Sequence, residues 1–182
     1  VSTGMCAPTT SAAGTLTLNT LPGVTVNPTD VTVCEGTGTS FSVTATGTGI
    51  TYQWQEDTGT GFVNLANGGV YSNVTTATLN ISNVVGKGGY RYRAVVSGTC
   101  SPASTSTSAT LTEQKNAVVS VPPSNSTVCA GNNTTFSVTA TGTGLTYQWQ
   151  QSRGGPFVNL ADGGGDGGGK NSTLAVTGAR EG

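Results

Sequence analysis

Four cysteines are the side chains of this sequence with the clearest capacity for chemistry. Cys34 and Cys129 are 95 residues apart, and each precedes a glycine by two positions. Cys6 and Cys100 are 94 residues apart, and each is followed two residues later by a proline. Cysteines at recurring positions are typical of disulfides, which persist in oxidising compartments. The pattern therefore predicts a secreted or cell-surface protein with structural disulfides.

Other reactive groups are few. The sequence contains no histidine, the usual general base, and no C-x-x-C motif or carboxylate cluster of the kind that binds metals. The adjacent acids Glu56 and Asp57 correspond to Gln151 and Ser152 one repeat later, which indicates a solvated turn and not a carboxylate couple. We therefore predict no catalytic residue, no metal site and no cofactor.

Charge and hydropathy narrow the possible partners. Only 8% of residues are charged and the net charge is −1, so no basic patch could neutralise nucleic-acid phosphates. No apolar run reaches the roughly 18 residues of a membrane-spanning helix. We expect neither nucleic-acid binding nor a membrane span.

The elements that position these residues recur along the chain. Trp54 recurs as Trp149 and Phe62 as Phe157, with most residues between 32 and 69 identical to those 95 positions later. Residues 1–8 are a diverged copy of residues 95–102. The chain is therefore expected to start and end in mid-domain within a tandem array, and detecting such a repeat decides how the fold is interpreted.

Alternation of apolar and polar residues predicts strands throughout. It is clear in residues 41–45, 50–55, 78–81, 90–94 and 109–112, with glycine-rich turns between them. A period of two indicates sheets with one buried face. About seven short strands per repeat predict an all-β fold of β-sandwiches.

The order of particular residues resembles the intermediate-type immunoglobulin domain. The residues that carry the resemblance are Cys34-Glu35-Gly36, Tyr52-Gln53-Trp54, Leu79-Asn80-Ile81 and Gly89-Tyr90-Arg91-Tyr92. The resemblance implies that Trp54 and Trp149 fill the core from strand C and that Tyr90 opens strand F as a tyrosine corner. Val43 and Tyr92 stand at the two positions of the family's core disulfide, so an apolar pair is expected to replace that bond.

More narrowly, the chain is similar to tandem immunoglobulin-like repeats of large secreted bacterial surface proteins of the Bacteroidetes type. On this basis, residues 1–21 are the C-terminal strands of a preceding repeat and residues 22–115 form a complete domain. Residues 116–182 form a third domain that lacks its last strands.

The immunoglobulin template places Cys34 and Cys100 at opposite ends of one sandwich, whereas a disulfide needs Cα atoms within about 7 Å. One hypothesis is a ladder in which Cys34 bonds the counterpart of Cys100 in the third unit, a position that lies beyond residue 182. The other possibilities are an intradomain Cys34–Cys100 bond and reduced thiols.

Two further features leave alternatives open. The sequence ends are complementary within the repeat, so the chain is either a stretch of a longer array or a subunit whose first 20 residues complete a neighbouring copy by strand addition. The glycine-rich residues 162–169 form either a flexible loop or, less expectedly, a calcium site.

We therefore predict an extracellular, non-catalytic structural or adhesive protein that forms a stalk, fibre or filament. Its expected partners are neighbouring repeats or identical subunits placed head to tail, and surface glycans. The alternative is a carbohydrate- or protein-binding module of a secreted multidomain protein.

Overall fold

The computed structural model describes residue 6, residues 10–161 and residues 166–179. None of these residues is helical, and the described chain offers no helix of the length and apolarity needed to cross a membrane. Residues 10–21 form no strand, and their assignment to a preceding repeat stays a prediction.

The strands between residues 23 and 114 pair into a two-sheet sandwich. These strands are β1 Gly23–Val26, β2 Val31–Cys34, β3 Thr39–Ser42, β4 Thr44–Thr46, β5 Thr51–Asp57, β6 Phe62–Asn64, β7 Tyr71–Ser72, β8 Thr78–Ile81, β9 Arg91–Ser97, β10 Ser104–Thr105 and β11 Ala109–Gln114.

One sheet has the order β2-β11-β9-β5-β6, with β10 also paired to β9, and β3-β8-β7 and β1-β4 make up the opposite side. The β2–β11 pair is parallel, with Val31 opposite Leu111 and Cys34 opposite Gln114. All other pairs in this repeat are antiparallel. This confirms the predicted all-β fold.

The core lies between the sheets and follows the alternation in the sequence. In β9, Tyr92, Ala94 and Val96 are buried, because every second side chain points inward. Val43 and Tyr92 both belong to the core cluster, which also contains Trp54. Tyr92 additionally stacks on Phe41 with ring centroids 4.9 Å apart. Apolar packing thus occupies the two positions at which the resemblance would place a disulfide.

The third unit repeats this architecture as far as it is described. Its strands are β12 Val118–Val121, β13 Thr134–Ser137, β14 Thr139–Thr141, β15 Gln150–Gln151, β16 Val158–Asn159, β17 Asp166–Gly167 and β18 Thr173–Val176. They pair as β12-β14, β13-β18-β17 and β15-β16. Phe136 faces Leu174 as Phe41 faces Leu79, so the register is kept from one repeat to the next.

Candidate functional site

The positions of the four cysteines follow from the order of the strands, and no cysteine is bonded to another. Cys6, Cys34 and Cys129 are exposed and Cys100 is partly buried. Cys34 sits beside the last residue of β11, whereas Cys100 follows β9 at the other end of that sheet.

The register shows how far apart the two ends are. Ser104 lies opposite Val96, and Gln114 lies opposite Cys34. The five residue steps from Val96 to Arg91 along β9 and the four from Thr110 to Gln114 along β11 cover about 30 Å at roughly 3.3 Å per residue, far beyond disulfide reach. An intradomain Cys34–Cys100 bond is therefore incompatible with this fold.

The three predicted core aromatics differ in burial. Trp54 is fully buried, and its indole Nε1 donates to the Thr76 carbonyl at 2.9 Å. Trp149 makes the same bond to the Asn171 carbonyl at 2.9 Å but is only partly buried. Tyr90 packs against the margin of the core, with the Lys87 ammonium 5.5 Å from its ring centroid. The fully buried tyrosine of strand F is Tyr92.

A concave pocket of about 310 Å³ lies in the third unit beside Trp149 and is lined by Val118, Val138, Leu145 and Tyr147 among others. Val138, Tyr147 and Trp149 correspond to Val43, Tyr52 and Trp54, which in the second repeat belong to the core or pack against it. There β9 pairs with the strand of Trp54. The pocket is therefore the interior side of the sandwich, and we assign it no ligand.

The interpretation of Glu56 and Asp57 as a solvated turn is wrong. Both belong to β5, and Asp57 is only 3% exposed. Asp57 Oδ1 accepts hydrogen bonds from the amides of Gly59 and Gly61, each at 2.8 Å, and Oδ2 pairs with the Arg91 guanidinium. These donors hold the pKa of Asp57 below its usual value, with the two backbone amides as the largest cause.

Glu56 sits in a tyrosine cluster. Its Oε2 accepts hydrogen bonds from the hydroxyls of Tyr71 and Tyr92, the second at 3.0 Å, and the two hydroxyls are 3.2 Å apart. Burial is the main cause that raises the pKa of both phenols, and their mutual hydrogen bond and the Glu56 carboxylate also act on them. The cluster links Glu56 of β5 to Tyr92 of β9 and to Tyr71 of β7 on the opposite side of the sandwich.

The outer face of the β9-β5-β6 sheet carries a connected group of polar and aromatic side chains. The Arg93 guanidinium lies 3.9 Å from the Phe62 ring centroid, and its Nε donates to Gln55 Oε1 at 2.8 Å. Gln55 in turn donates to Asn64 Oδ1 at 2.8 Å. Arg91 lies 5.7 Å from the same ring. We name Gln55, Phe62, Asn64, Arg91 and Arg93 the outer-face strip.

Sequence reasoning missed this strip because it considered aromatic residues only on the face of Trp54. The sequence did contain a signal for it. Arg91 and Arg93 occupy alternate positions of β9 and therefore place two cations on one face of the sheet. Part of the strip also recurs, since Gln150 Nε2 donates to Asn159 Oδ1 at 2.9 Å. Phe157, the counterpart of Phe62, is 70% exposed.

Among the described residues, no three His, Cys, Asp or Glu side chains are grouped together. In the glycine-rich segment, Asp166 and Gly167 form β17 against β18. Residues 162–165, on which the loop and calcium alternatives partly depend, lie outside the described residues.

Solved structures similar to this chain contain tandem immunoglobulin domains. The I-band fragment I67-I69 from titin matches with a TM-score of 0.70 and 17% identity, covering 91% of this chain and 57% of that one. Sidekick-1 immunoglobulin domains 1-5 match at 0.63 and 15%, covering 90% and 34%. The N-terminal eight domains of Down Syndrome Cell Adhesion Molecule match at 0.52 and 18%, covering 91% and 20%.

This chain thus spans little more than half of the titin fragment and less of the other two. No protein-family model matches the sequence, and no curated protein is significantly similar to it. The structural matches show that the fold is immunoglobulin-like, with repeat character.

Proposed function

We propose that this chain serves as part of an extracellular structural or adhesive protein, in which immunoglobulin-like repeats follow head to tail in a stalk, fibre or filament. The observation that carries the proposal is the recurrence of individual contacts at 95 residues. The Gln53 amide donates to the carbonyls of Trp54 and Leu65, and the Gln148 amide donates to those of Trp149 and Leu160, at 2.8–2.9 Å. Repeats built to one pattern stack in one way, which is how repeat proteins generate extended shapes.

The surface chemistry supports an extracellular setting. The exposed residues of the described chain are mostly threonine, serine, asparagine and glycine, and few charges would repel one another between neighbouring repeats. The similarity to a cell adhesion molecule in overall fold agrees with this setting. The narrower resemblance to Bacteroidetes surface proteins remains part of the proposal.

Cysteines would add covalent links between repeats. Two thiols at facing repeat ends would lose two protons and two electrons to a disulfide oxidant, which becomes two thiols, as one S–S bond forms. The separation of Cys34 and Cys100 favours partners in different repeats. Non-reducing peptide mapping of protein from its native source should give cross-repeat peptides, and a Cys34–Cys100 peptide from one repeat would refute the ladder.

The shape of the native assembly tests the main proposal. Electron microscopy should show rods or fibres with an axial step of about 40 Å, a sandwich of about 30 Å plus its end loops. Small-angle scattering of the chain itself should indicate an elongated particle. Compact particles in both measurements would refute the structural role.

The outer-face strip favours a second candidate, a carbohydrate- or acidic-ligand-binding module. An aromatic ring beside planar amide and guanidinium groups suits sugar rings or carboxylates. Polysaccharide pull-down with wild type and Arg93→Ala separates the two functions. Binding that is lost in Arg93→Ala but kept in Thr110→Ala, a change on the neighbouring strand of the same sheet, would favour the binding module.

A further inference from the structure

Each junction between repeats is held by the same four-residue loop. The sequence Thr-Gly-Thr-Gly occupies residues 46–49 and 141–144, which begin at the last residue of β4 and of β14 and lead towards β5 and β15. We name these two segments the TGTG loops. At the first, Thr20 N donates to Thr48 Oγ1 at 2.9 Å, and Thr48 N donates to the Thr20 carbonyl at 3.2 Å.

The second junction repeats both bonds. Lys115 N donates to Thr143 Oγ1 at 2.9 Å, and Thr143 N donates to the Lys115 carbonyl at 3.0 Å. Lys115 follows β11 of the preceding repeat directly. One threonine thus satisfies both the amide and the carbonyl of the residue on which the previous repeat ends.

The captured segments differ in sequence although the loops are identical. Residues 20–23 read Thr-Leu-Pro-Gly, whereas the corresponding residues 115–118 read Lys-Asn-Ala-Val. Every position differs, but the two pairs of main-chain hydrogen bonds are the same. At the first junction the hydroxyl oxygens of Thr20 and Thr48 are also 3.2 Å apart. The bonds that both junctions share reach only the main chain of the linker, so they do not depend on its side chains.

A glycine brings loop and linker close together. A Cβ on Gly142 would lie 2.9 Å from both the Ala117 Cα and the Asn116 carbonyl oxygen. A Cβ on Gly47 would lie 2.8 Å from the Pro22 Cα and 3.0 Å from the Leu21 carbonyl oxygen. Their φ values of 144° and 139° also favour glycine. Only a residue without a side chain permits this approach.

The linker also contacts the second repeat, from which it emerges. Lys115 Nζ lies 3.8 Å from Glu35 Oε1, and Asn116 Nδ2 donates to the Glu35 carbonyl at 3.5 Å. Glu35 belongs to the turn after β2, at the end of the sandwich that the chain leaves. In the second repeat the TGTG loop is braced in turn, because the Thr48 carbonyl accepts from Thr99 N at 2.9 Å.

We propose that the TGTG loop is a main-chain clamp, an interaction surface that docks the C-terminal end of one repeat onto the next and fixes their relative orientation. Its partner is an extended backbone of a preceding repeat, of any side-chain sequence that leaves the approach to the glycine open. This inference goes beyond the proposed function, since the clamp would orient two repeats whether or not they build a fibre.

Amide hydrogen exchange of the whole chain tests the clamp at the bond itself. The Lys115 amide should be protected in wild type, and Thr143→Val should reduce its protection about fivefold, the factor that one net hydrogen bond contributes. Thr143→Ser keeps the hydroxyl and should restore the protection. Thr60→Val, in an exposed turn away from the junction, is the matched control and should change nothing at Lys115.

The glycine provides a second, independent variant pair in the same loop. Gly142→Ala should widen the distribution of distances between the second and third units, because the added methyl displaces the linker. Gly144→Ala is the control, since it also has positive φ, 64°, but open space at its Cβ. Pulsed electron spin resonance between labels at Thr58 and Arg153, attached through ketone-bearing amino acids to spare the thiols, measures the distribution.

The outcomes separate the clamp from the proposed function. A Lys115 amide that exchanges at the free-peptide rate in wild type, or equal distance distributions for Gly142→Ala and Gly144→Ala, would overturn the clamp. A protected amide and a narrow wild-type distribution support it even if the native assembly is not fibrous. Retained strand amide protection in each variant shows that the units remain folded.

Discussion

Replacing Tyr92 by phenylalanine tests whether the buried tyrosine cluster stabilises the second repeat. Tyr92 is fully buried and its hydroxyl donates to Glu56 Oε2 at 3.0 Å. A hydrogen bond to a charged group contributes about 1.5–3 kcal/mol. We expect the lower end, about 1.5 kcal/mol, because Tyr71 still donates to the same oxygen in the variant.

Equilibrium unfolding in urea measures this loss. With an m-value of about 2 kcal/mol/M, within the range for small domains, the midpoint should fall by about 0.75 M. Unfolding is followed by the fluorescence of Trp54 in a Trp149→Phe background, so that the signal comes from the second repeat alone.

Tyr52→Phe is the matched control, because Tyr52 is a partly buried tyrosine of the same repeat whose phenol has no hydrogen-bond partner among the described residues. Its midpoint should change by less than about 0.25 M, a free-energy change of about 0.5 kcal/mol. A double-mutant cycle with Glu56→Gln should give a coupling free energy of about 1 kcal/mol. Equal midpoints for Tyr92→Phe and Tyr52→Phe would falsify the assignment of stability to this hydrogen bond.

Three further predictions concern pH and backbone packing. The folded-state pKa values of Tyr71 and Tyr92 are raised. Their contribution to stability should therefore be complete below the unfolded-state pKa near 10 and be lost at higher pH. In urea titrations at pH 9–12, the free energy of unfolding of the double Phe variant should fall less steeply than that of wild type. The pKa of Asp57 is lowered from 3.8, so its contribution should be present above that pH and be lost in more acidic solution; Asp57→Asn should flatten the acid limb of thermal unfolding curves. Gly38→Ala would place a Cβ 2.9 Å from a carbonyl oxygen of the facing strand and should cost about 1–3 kcal/mol in urea unfolding, whereas Gly155→Ala, in open space, should leave the midpoint within about 0.5 kcal/mol of wild type.

The apolar pattern predicted most of the fold because burial of alternating side chains is a local property of the sequence. The resemblance to the immunoglobulin domain placed Trp54 and the Val43–Tyr92 pair, and the 95-residue recurrence extended the prediction to the third unit. The separation of Cys34 from Cys100 also followed from strand order, since it depends on topology and not on side-chain detail.

Polar residues were harder to place because their burial depends on partners distant in sequence. Asp57 is buried since Arg91, on another strand, and two turn amides satisfy its carboxylate. No local pattern distinguishes such an acid from a solvated one. For the same reason the tyrosine cluster around Glu56 and the outer-face strip became visible only with the sheet register.

The sequence identity of the two TGTG loops has a structural explanation in the contact with the linker. Residues 46–49 and 141–144 are identical, whereas the linkers they bind differ at every position. Exposed hydrogen bonds of this kind contribute only about 0.5–1.5 kcal/mol each, too little to stabilise a domain. Two of them on one residue, beside a glycine that admits no side chain, are nonetheless enough to favour one linker path over a flexible ensemble. The TGTG loop therefore accounts for the orientation of the repeats, and the core residues account for their folding.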